Sequence, residues 1–143
     1  MHEILNNQRK IKIDLKIFSD FLEKCHENIS DAEKRSAAIA FVSDRKMREL
    51  NRDFRGKDKT TDVLSFPFEA DEFDETDDFL GDIIISLEQA ARQAAENNLE
   101  LELEIKQLIL HGILHLCGYD HETDNGEMNS RELELRDKLN INQ

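Results

Sequence analysis

Three histidines in one short run constrain what this chain can fold into more than any other feature of its sequence. Residues 111–121 read His-Gly-Ile-Leu-His-Leu-Cys-Gly-Tyr-Asp-His. Because His111 and His115 are four residues apart, a helix would place both imidazoles on one face, one turn from each other. Gly118 can adopt a left-handed conformation that ends a helix, so the chain could turn and bring His121 back to the pair. The spacing therefore predicts a helix that ends inside the run and a cluster of three imidazoles.

Three imidazoles with an open fourth position describe a catalytic zinc site, whereas a structural site is usually closed by four protein ligands. Metzincin proteases have the same histidine and glycine spacing, but their motif carries a catalytic glutamate where this chain has Gly112. We therefore expect one Zn²⁺ ion held by His111, His115 and His121, with water as the fourth ligand. The missing glutamate indicates a substrate other than a peptide.

The remaining histidines and the cysteines suggest no second site. His2 and His26 lack ligand spacing and are predicted to be ordinary core or surface residues. Cys117 follows His115 by two positions, so on a helix it points away from the histidine face and is predicted to be a small buried residue. Cys25 and Cys117 are too few and too far apart for a disulfide framework, which favours reduced thiols in the cytoplasm.

Length and hydropathy favour one domain covering residues 1–143. No run of about 18 apolar residues is present, so no membrane span is expected. Polar residues interrupt the first thirteen positions, which lack the apolar run of a signal peptide.

The charge of the chain is unevenly distributed. The net charge of −13 argues against a nucleic-acid partner, and residues 69–82 carry eight acids and no Lys or Arg. Residues 45–59, in contrast, carry seven basic residues and three acids. Such a stretch can hold phosphates even in an acidic protein, although it can also be an ordinary solvated helix face and loop.

Hydrophobic periodicity predicts about four strands and about five helices in one mixed layered architecture. The predicted strands are residues 2–5, 37–42, 62–68 and 79–86, and the predicted helices are residues 14–28, 44–54, 87–98, 101–117 and 127–140. Residues 69–78 are predicted to form an acidic surface loop. In the second helix, Met47, Leu50, Asn51 and Phe54 are predicted to share one side, and Leu133 is assigned to the apolar face of the last helix.

Residues 111–121 look like the signature of the YbeY family of bacterial endoribonucleases. Residues 51–67 support the resemblance, because they read Asn-Arg-Asp-Phe-Arg-Gly-Lys-Asp-Lys-Thr-Thr-Asp-Val-Leu-Ser-Phe-Pro and are similar to a second family segment. Gly81-Asp82-Ile83 matches a third, and Met128 and Glu132 fit the last helix of the family. The chain departs from the pattern at Thr60, where the family usually has proline. The resemblance covers the chain from about residue 41 onward.

The resemblance implies a zincin-like α+β fold with a mixed sheet, and zinc held by His111, His115 and His121. It implies cleavage of single-stranded RNA, with roles in maturing the 3′ end of small-subunit ribosomal RNA and in ribosome quality control, so ribosomal RNA and the ribosome are the expected partners. It also implies that Arg55 is a functional arginine.

Two residues are candidates for the chemistry. A phosphodiester could be attacked by water or by a ribose 2′-hydroxyl, and negative charge builds on phosphoryl oxygens in both cases. Arg55 could meet that charge with two parallel hydrogen bonds. Asp120 could orient a ligand imidazole or handle a proton, or it could simply form a turn. Tyr119 could stack on a base or pack against the core.

Two other functions remain open at this point. One is a metal-dependent hydrolase of another substrate, such as a peptide or a small phosphoester. The other is a ribosome-associated assembly protein whose metal is structural.

Overall fold

The computed structural model describes residues 3–32, 35–68, 78–120 and 122–142. These residues form four strands and five α-helices, which confirms the predicted architecture. The strands are β1 (Glu3–Asn6), β2 (Ser36–Val42), β3 (Val63–Pro67) and β4 (Phe79–Ser86). The helices are α1 (Leu15–Asn28), α2 (Asp44–Arg55), α3 (Leu87–Glu96), α4 (Leu101–Leu116) and α5 (Glu127–Lys138). Except for Asp78, the predicted acidic loop lies outside the described residues, as do His2 and His121.

The four strands form one mixed sheet in the order β1-β2-β4-β3. β2 pairs in parallel with both β1 and β4, whereas β3 runs antiparallel to β4 at the edge of the sheet. The connections between the parallel strands contain α1 and α2, as a parallel pair requires a long crossover. β3 therefore forms one edge of the sheet. The functional site described below lies beside this edge.

Helix α4 is the centre of the fold. It contacts β3 and β4 of the sheet and also packs against α1, α3 and α5. The sequence explains this position, because apolar residues occur around most of its circumference and such a helix is stable only when it is enclosed. Its buried members are Ile105, Leu108, Ile109, Leu110, Ile113, Leu114 and Leu116. Burial on several sides fixes the helix rigidly, and with it the two histidines it carries.

Three side chains depart from the predicted burial. Phe54 is 65% exposed, because it lies in the last turn of α2 and packs only edge-on against Phe66 of the edge strand, with ring centroids 5.4 Å apart. Leu133 is 51% exposed, since the buried positions of α5 are Met128, Glu132 and Leu135. Cys117 is only partly buried, because it caps α4 at the point where the helix leaves the core.

The prediction that His26 is an ordinary core or surface residue is confirmed, whereas His2 lies outside the described residues. Cys25 and Cys117 are free thiols, and burial raises the pKa of the Cys25 thiol to about 12. His26 is a buried core residue whose Nδ1 lies 2.8 Å from the Ala32 carbonyl oxygen. Throughout the part of the chain that the structure describes, no helix combines the length and apolar character needed to cross a membrane.

Candidate active site

His111 and His115 converge on one point at the surface of α4. Their Nε2 atoms lie 3.1 Å apart, and the two rings are nearly perpendicular, with an interplanar angle of 80°. The helix ends one residue after His115, and Gly118 follows with a φ of 99°, as its predicted left-handed conformation requires. The four-residue spacing therefore produces the imidazole pair that the sequence predicted.

The opposite nitrogen of each ring is held in place by a hydrogen bond. His111 Nδ1 lies 2.9 Å from Glu132 Oε1, and His115 Nδ1 lies 3.1 Å from the Tyr119 carbonyl oxygen. Because both partners are acceptors, each Nδ1 carries a proton, and a ring whose only nitrogen-bound proton is on Nδ1 presents a lone pair at Nε2. Two lone pairs facing each other at this distance repel, unless a cation lies between them.

Glu132 is a functional candidate whose role the sequence analysis missed. It lies on α5 and is 8% exposed. Burial by itself would raise its pKa, but the hydrogen bond with His111 and the positive charge of Arg136 outweigh burial, so the pKa of Glu132 lies below its ordinary value. The ionised carboxylate of Glu132 therefore accepts a hydrogen bond from the His111 Nδ1–H group. A signal was present in the sequence: Glu132 occupies the apolar face of α5 between Met128 and Leu135, where a carboxylate needs a partner.

The histidine pair fits a zinc ion. Zinc–nitrogen bonds of about 2.0–2.1 Å at tetrahedral angles place two ligand nitrogens about 3.3 Å apart. The observed separation of the two Nε2 atoms is 3.1 Å. Within the described ranges, which omit residue 121, no three His, Cys, Asp or Glu side chains form a metal cluster. His121 therefore stays a predicted third ligand.

Arg55 lies on the same cavity as the histidine pair. The cavity has a volume of about 780 Å³, and its walls include Arg55, His111 and His115. Arg55 Nη2 donates a hydrogen bond to the Ser65 carbonyl oxygen at 3.0 Å, and its guanidinium carbon lies 5.9 Å from the centre of the Phe66 ring. These contacts hold the guanidinium at the outer edge of β3, where it remains exposed.

Helix α2 brings Arg55 to the cavity because it ends there. Gly56 caps the helix with a φ of 71°, and its N–H bonds back to the Arg52 and Asn51 carbonyl groups. The chain then turns so that Lys57 and Lys59 line the same cavity. Three of the seven basic residues of the stretch seen in the sequence therefore line the cavity of the histidine site.

Asp120 is exposed and lines the cavity, but its carboxylate is engaged locally. Its Oδ1 accepts a hydrogen bond from the Glu122 N–H at 3.0 Å, and its carbonyl accepts from the N–H groups of Thr123 and Asp124. These are the contacts of a turn-forming aspartate. A role in orienting a ligand imidazole or in proton transfer stays a prediction. Tyr119 is partly buried and packs against the core.

Comparisons with known proteins agree with this fold and site. A family model described as Endoribonuclease YbeY matches residues 3–140. The chain is 40% identical to Endoribonuclease YbeY of Clostridioides difficile, over 85% of this chain and 83% of that protein. It is 39% identical to the Desulforamulus reducens protein of the same name, over 99% of both chains. It is also 50% identical to the Nautilia profundicola protein of that name, over 72% of this chain and 71% of the relative.

A solved structure gives the same result for the fold. The solution structure of TM1509 from Thermotoga maritima superposes with a TM-score of 0.66 at 29% identity, and the match covers 97% of this chain and 89% of that chain. Fold, site and relatives together define the class: this is a nuclease of the endoribonuclease type. The chain belongs to the YbeY family. The predicted family and enzyme class are thereby confirmed.

Proposed function

We propose that this protein is a zinc-dependent endoribonuclease that cuts single-stranded RNA at the His111–His115 site. The observation that carries the proposal is one cavity that combines two converging imidazole lone pairs with the exposed guanidinium of Arg55. A zinc ion held by His111, His115 and His121 would supply a Lewis acid for phosphodiester hydrolysis. The ribosomal RNA maturation role, the ribosome as partner and the cytoplasmic location follow from the family resemblance.

The residues of the chain have separate tasks in this proposal. Glu132 and the Tyr119 carbonyl group hold the two rings in the orientation and tautomer that a metal requires. Arg55 donates to the phosphoryl oxygens, whose negative charge grows as the bond to the leaving oxygen breaks. Lys57 and Lys59 attract the neighbouring phosphates electrostatically.

The outer edge of β3 is poorly suited to bind a peptide substrate. Ser86 N–H donates to the Asp62 carbonyl and Phe68 N–H donates to the Leu80 carbonyl, so alternate residues of β3 direct their backbone toward β4. The residues between them direct their backbone outward, where a peptide would add as a further strand. These outward residues are Val63, Ser65 and Pro67.

Each outward residue is blocked. The Val63 N–H donates to Asp62 Oδ1 at 2.7 Å, and the Ser65 carbonyl accepts from Arg55 at 3.0 Å. Pro67 has no N–H to offer. A peptide strand would have to displace these groups, whereas a phosphodiester needs none of the outer backbone atoms. This supports RNA over a peptide as the substrate.

The test compares zinc-loaded wild-type protein with the His115→Ala variant purified in the same way. We expect the wild type to cut single-stranded RNA and to leave casein intact, and we expect the variant to lose both bound zinc and RNA cleavage. Metal content is measured on each preparation, so that loss of activity can be assigned to loss of the site.

Three results would contradict the proposal. Equal RNA cleavage by both proteins would assign the activity to a contaminant. Cleavage of casein but not RNA would identify a peptidase. A wild-type protein with stoichiometric zinc and no hydrolytic activity would favour an assembly protein with a structural metal.

A further inference from the structure

A second cavity adjoins the histidine pair on the side away from Arg55. Its volume is about 730 Å³, and it shares Asp62, Val63 and His111 with the first cavity. Its other walls come from the turn after α3, from α4 and from α5. Glu104 lies seven residues before His111 on α4, which is two turns, so the two side chains share one helix face about 10 Å apart along the axis. The two cavities therefore form one groove that continues past the histidines.

Glu104 is a buried carboxylate without a partner. It is 6% exposed and lines the second cavity, and in the described part of the chain its side chain makes no hydrogen bond or ion pair. Burial and the negative charge of Asp62 raise its pKa, while Arg136 acts in the opposite direction. The carboxylate oxygens of Glu104 are not among the fully buried atoms that lack a partner in the described residues, so they are open to the cavity.

Arg136 is the cation on the wall of the same cavity. Its Nε is buried and has no hydrogen-bond partner among the described residues. Its Nη2 lies 4.0 Å from Glu132 Oε2, so the side chain is already anchored at its far end. The cavity wall thus carries a carboxylate, Glu104, and a guanidinium, Arg136, and among the described residues no hydrogen bond or ion pair joins these two side chains.

We propose that this cavity is a base-binding subsite that takes a guanine from the RNA strand crossing the histidine site, an inference that rests on the proposed ribonuclease function. Guanine is the only common base with two adjacent donors on its Watson–Crick edge, N1–H and the N2 amino group, and one carboxylate can accept both. The neighbouring O6 is an acceptor, which complements the Arg136 guanidinium on the cavity wall. Proteins read unstacked RNA bases through this edge.

The charge distribution along the groove assigns the base to the second cavity. Three cations, Arg55, Lys57 and Lys59, line the first cavity beside the carboxylates of Asp62, Asp120 and Glu122, whereas the second cavity has one cation, Arg136, beside Glu104 and the shared Asp62. Two carboxylates repel a phosphate but accept from a neutral base that offers N–H donors. The phosphates therefore follow the first cavity, which holds three of the four lining cations, and a base turns into the second cavity toward Glu104.

The first experiment measures binding without catalysis. Isotope-labelled wild-type protein is titrated with guanosine, adenosine, cytidine and uridine, which carry no phosphate that could bind the metal site. Guanosine should shift the backbone amide resonances around Glu104 and Arg136, and inosine, which lacks the N2 amino group, should bind several-fold more weakly. Glu104→Gln should abolish the guanosine shifts. Glu102→Gln is the matched control, since Glu102 is exposed on the same helix and pairs with Lys106.

The second experiment sequences the products of a random single-stranded RNA pool. Wild type and Glu102→Gln should show guanosine enriched roughly tenfold at one fixed position relative to the cut, the order expected of one bidentate contact. Glu104→Gln should lose this preference and still cut RNA.

The outcomes separate the subsite from the proposed function. Cutting without any base preference, equal shifts with all four nucleosides, or guanosine binding that survives Glu104→Gln would overturn the guanine subsite and leave the endoribonuclease in place. If the wild type cuts no RNA, the proposed function fails, and the nucleoside titration still decides whether the cavity binds guanine.

Discussion

Gly112 lies directly against Ile83 of β4: a Cβ at position 112 would come within 2.9 Å of Ile83 Cγ2 and 3.0 Å of its Cδ1. Ile83 is fully buried in the interior of the sheet, so it has no room to withdraw. Helix α4 can approach the sheet this closely because position 112 has no side chain. A glutamate at this position, as in the metzincin pattern, would push α4 and its two histidines away from β4.

Gly112→Ala should therefore destabilise the protein, although alanine is the better helix former. The propensity gain is about 1 kcal/mol, and overpacking of a buried contact costs about 1–3 kcal/mol. We expect a net loss in the free energy of unfolding, measured by urea denaturation. Ile83→Ala should cost less in the Gly112→Ala background than alone, because it removes the clash. Strictly additive effects would contradict the contact.

Removing the Glu132 carboxylate should weaken metal binding. Without it the His111 ring loses the acceptor that fixes its tautomer and orientation, so Glu132→Ala should lower zinc affinity about 10–100-fold in a chelator competition. Glu132→Gln should retain part of the affinity, since its amide oxygen can still accept from Nδ1. Glu134→Ala is the control, because Glu134 is exposed on the same helix and pairs with Arg131. Equal affinity in all four proteins would rule out the orienting role.

Arg55→Ala should separate metal binding from catalysis. The variant should bind zinc as the wild type does, and kcat for RNA cleavage should fall about 100–1,000-fold, the usual effect of removing one charge-stabilising donor. Arg55→Lys should recover only part of the rate, because a lysine cannot form two parallel hydrogen bonds. Arg45→Ala, an exposed arginine on the same helix, should leave the rate unchanged. Normal cleavage by Arg55→Ala would remove the phosphate-binding role.

The stability of the protein should depend on Glu104 in a pH-dependent way. The pKa of Glu104 is raised in the folded protein, so the folded state favours the protonated carboxyl group. The stability that the protonated group contributes to the fold is lost as pH rises through its folded-state pKa. Glu104→Gln should therefore raise the melting temperature by a few degrees at pH 8. The difference should disappear below a pH of about 4.5, the ordinary pKa of a glutamate. An identical melting temperature at pH 8 would show that the carboxylate carries no burial cost.

Most of the fold could be predicted from local patterns. The strand at β4 and the helix start at Asp44 fall where apolar runs and the Ser43 cap indicate, because the signals for these elements lie within a few residues of each other. The direction of β3 could not be predicted in this way. The connection from Pro67 to Phe79 is long enough to join either an antiparallel or a parallel pair of strands. Only the pairing of β3 with β4 shows that β3 is an antiparallel edge strand.

The sequence by itself determined the imidazole pair and the glycine that ends its helix, because both depend on spacing along one helix. It also indicated the family, because short segments of the chain carry that resemblance without reference to how they pack. The tertiary structure alone decided that Glu132 holds His111 across 21 residues and that Arg55 fastens to the edge of β3 at Ser65. It also decided that Glu104 faces a cavity instead of a partner. These relationships join different elements, and no local periodicity specifies how α4, α5 and the sheet edge pack together.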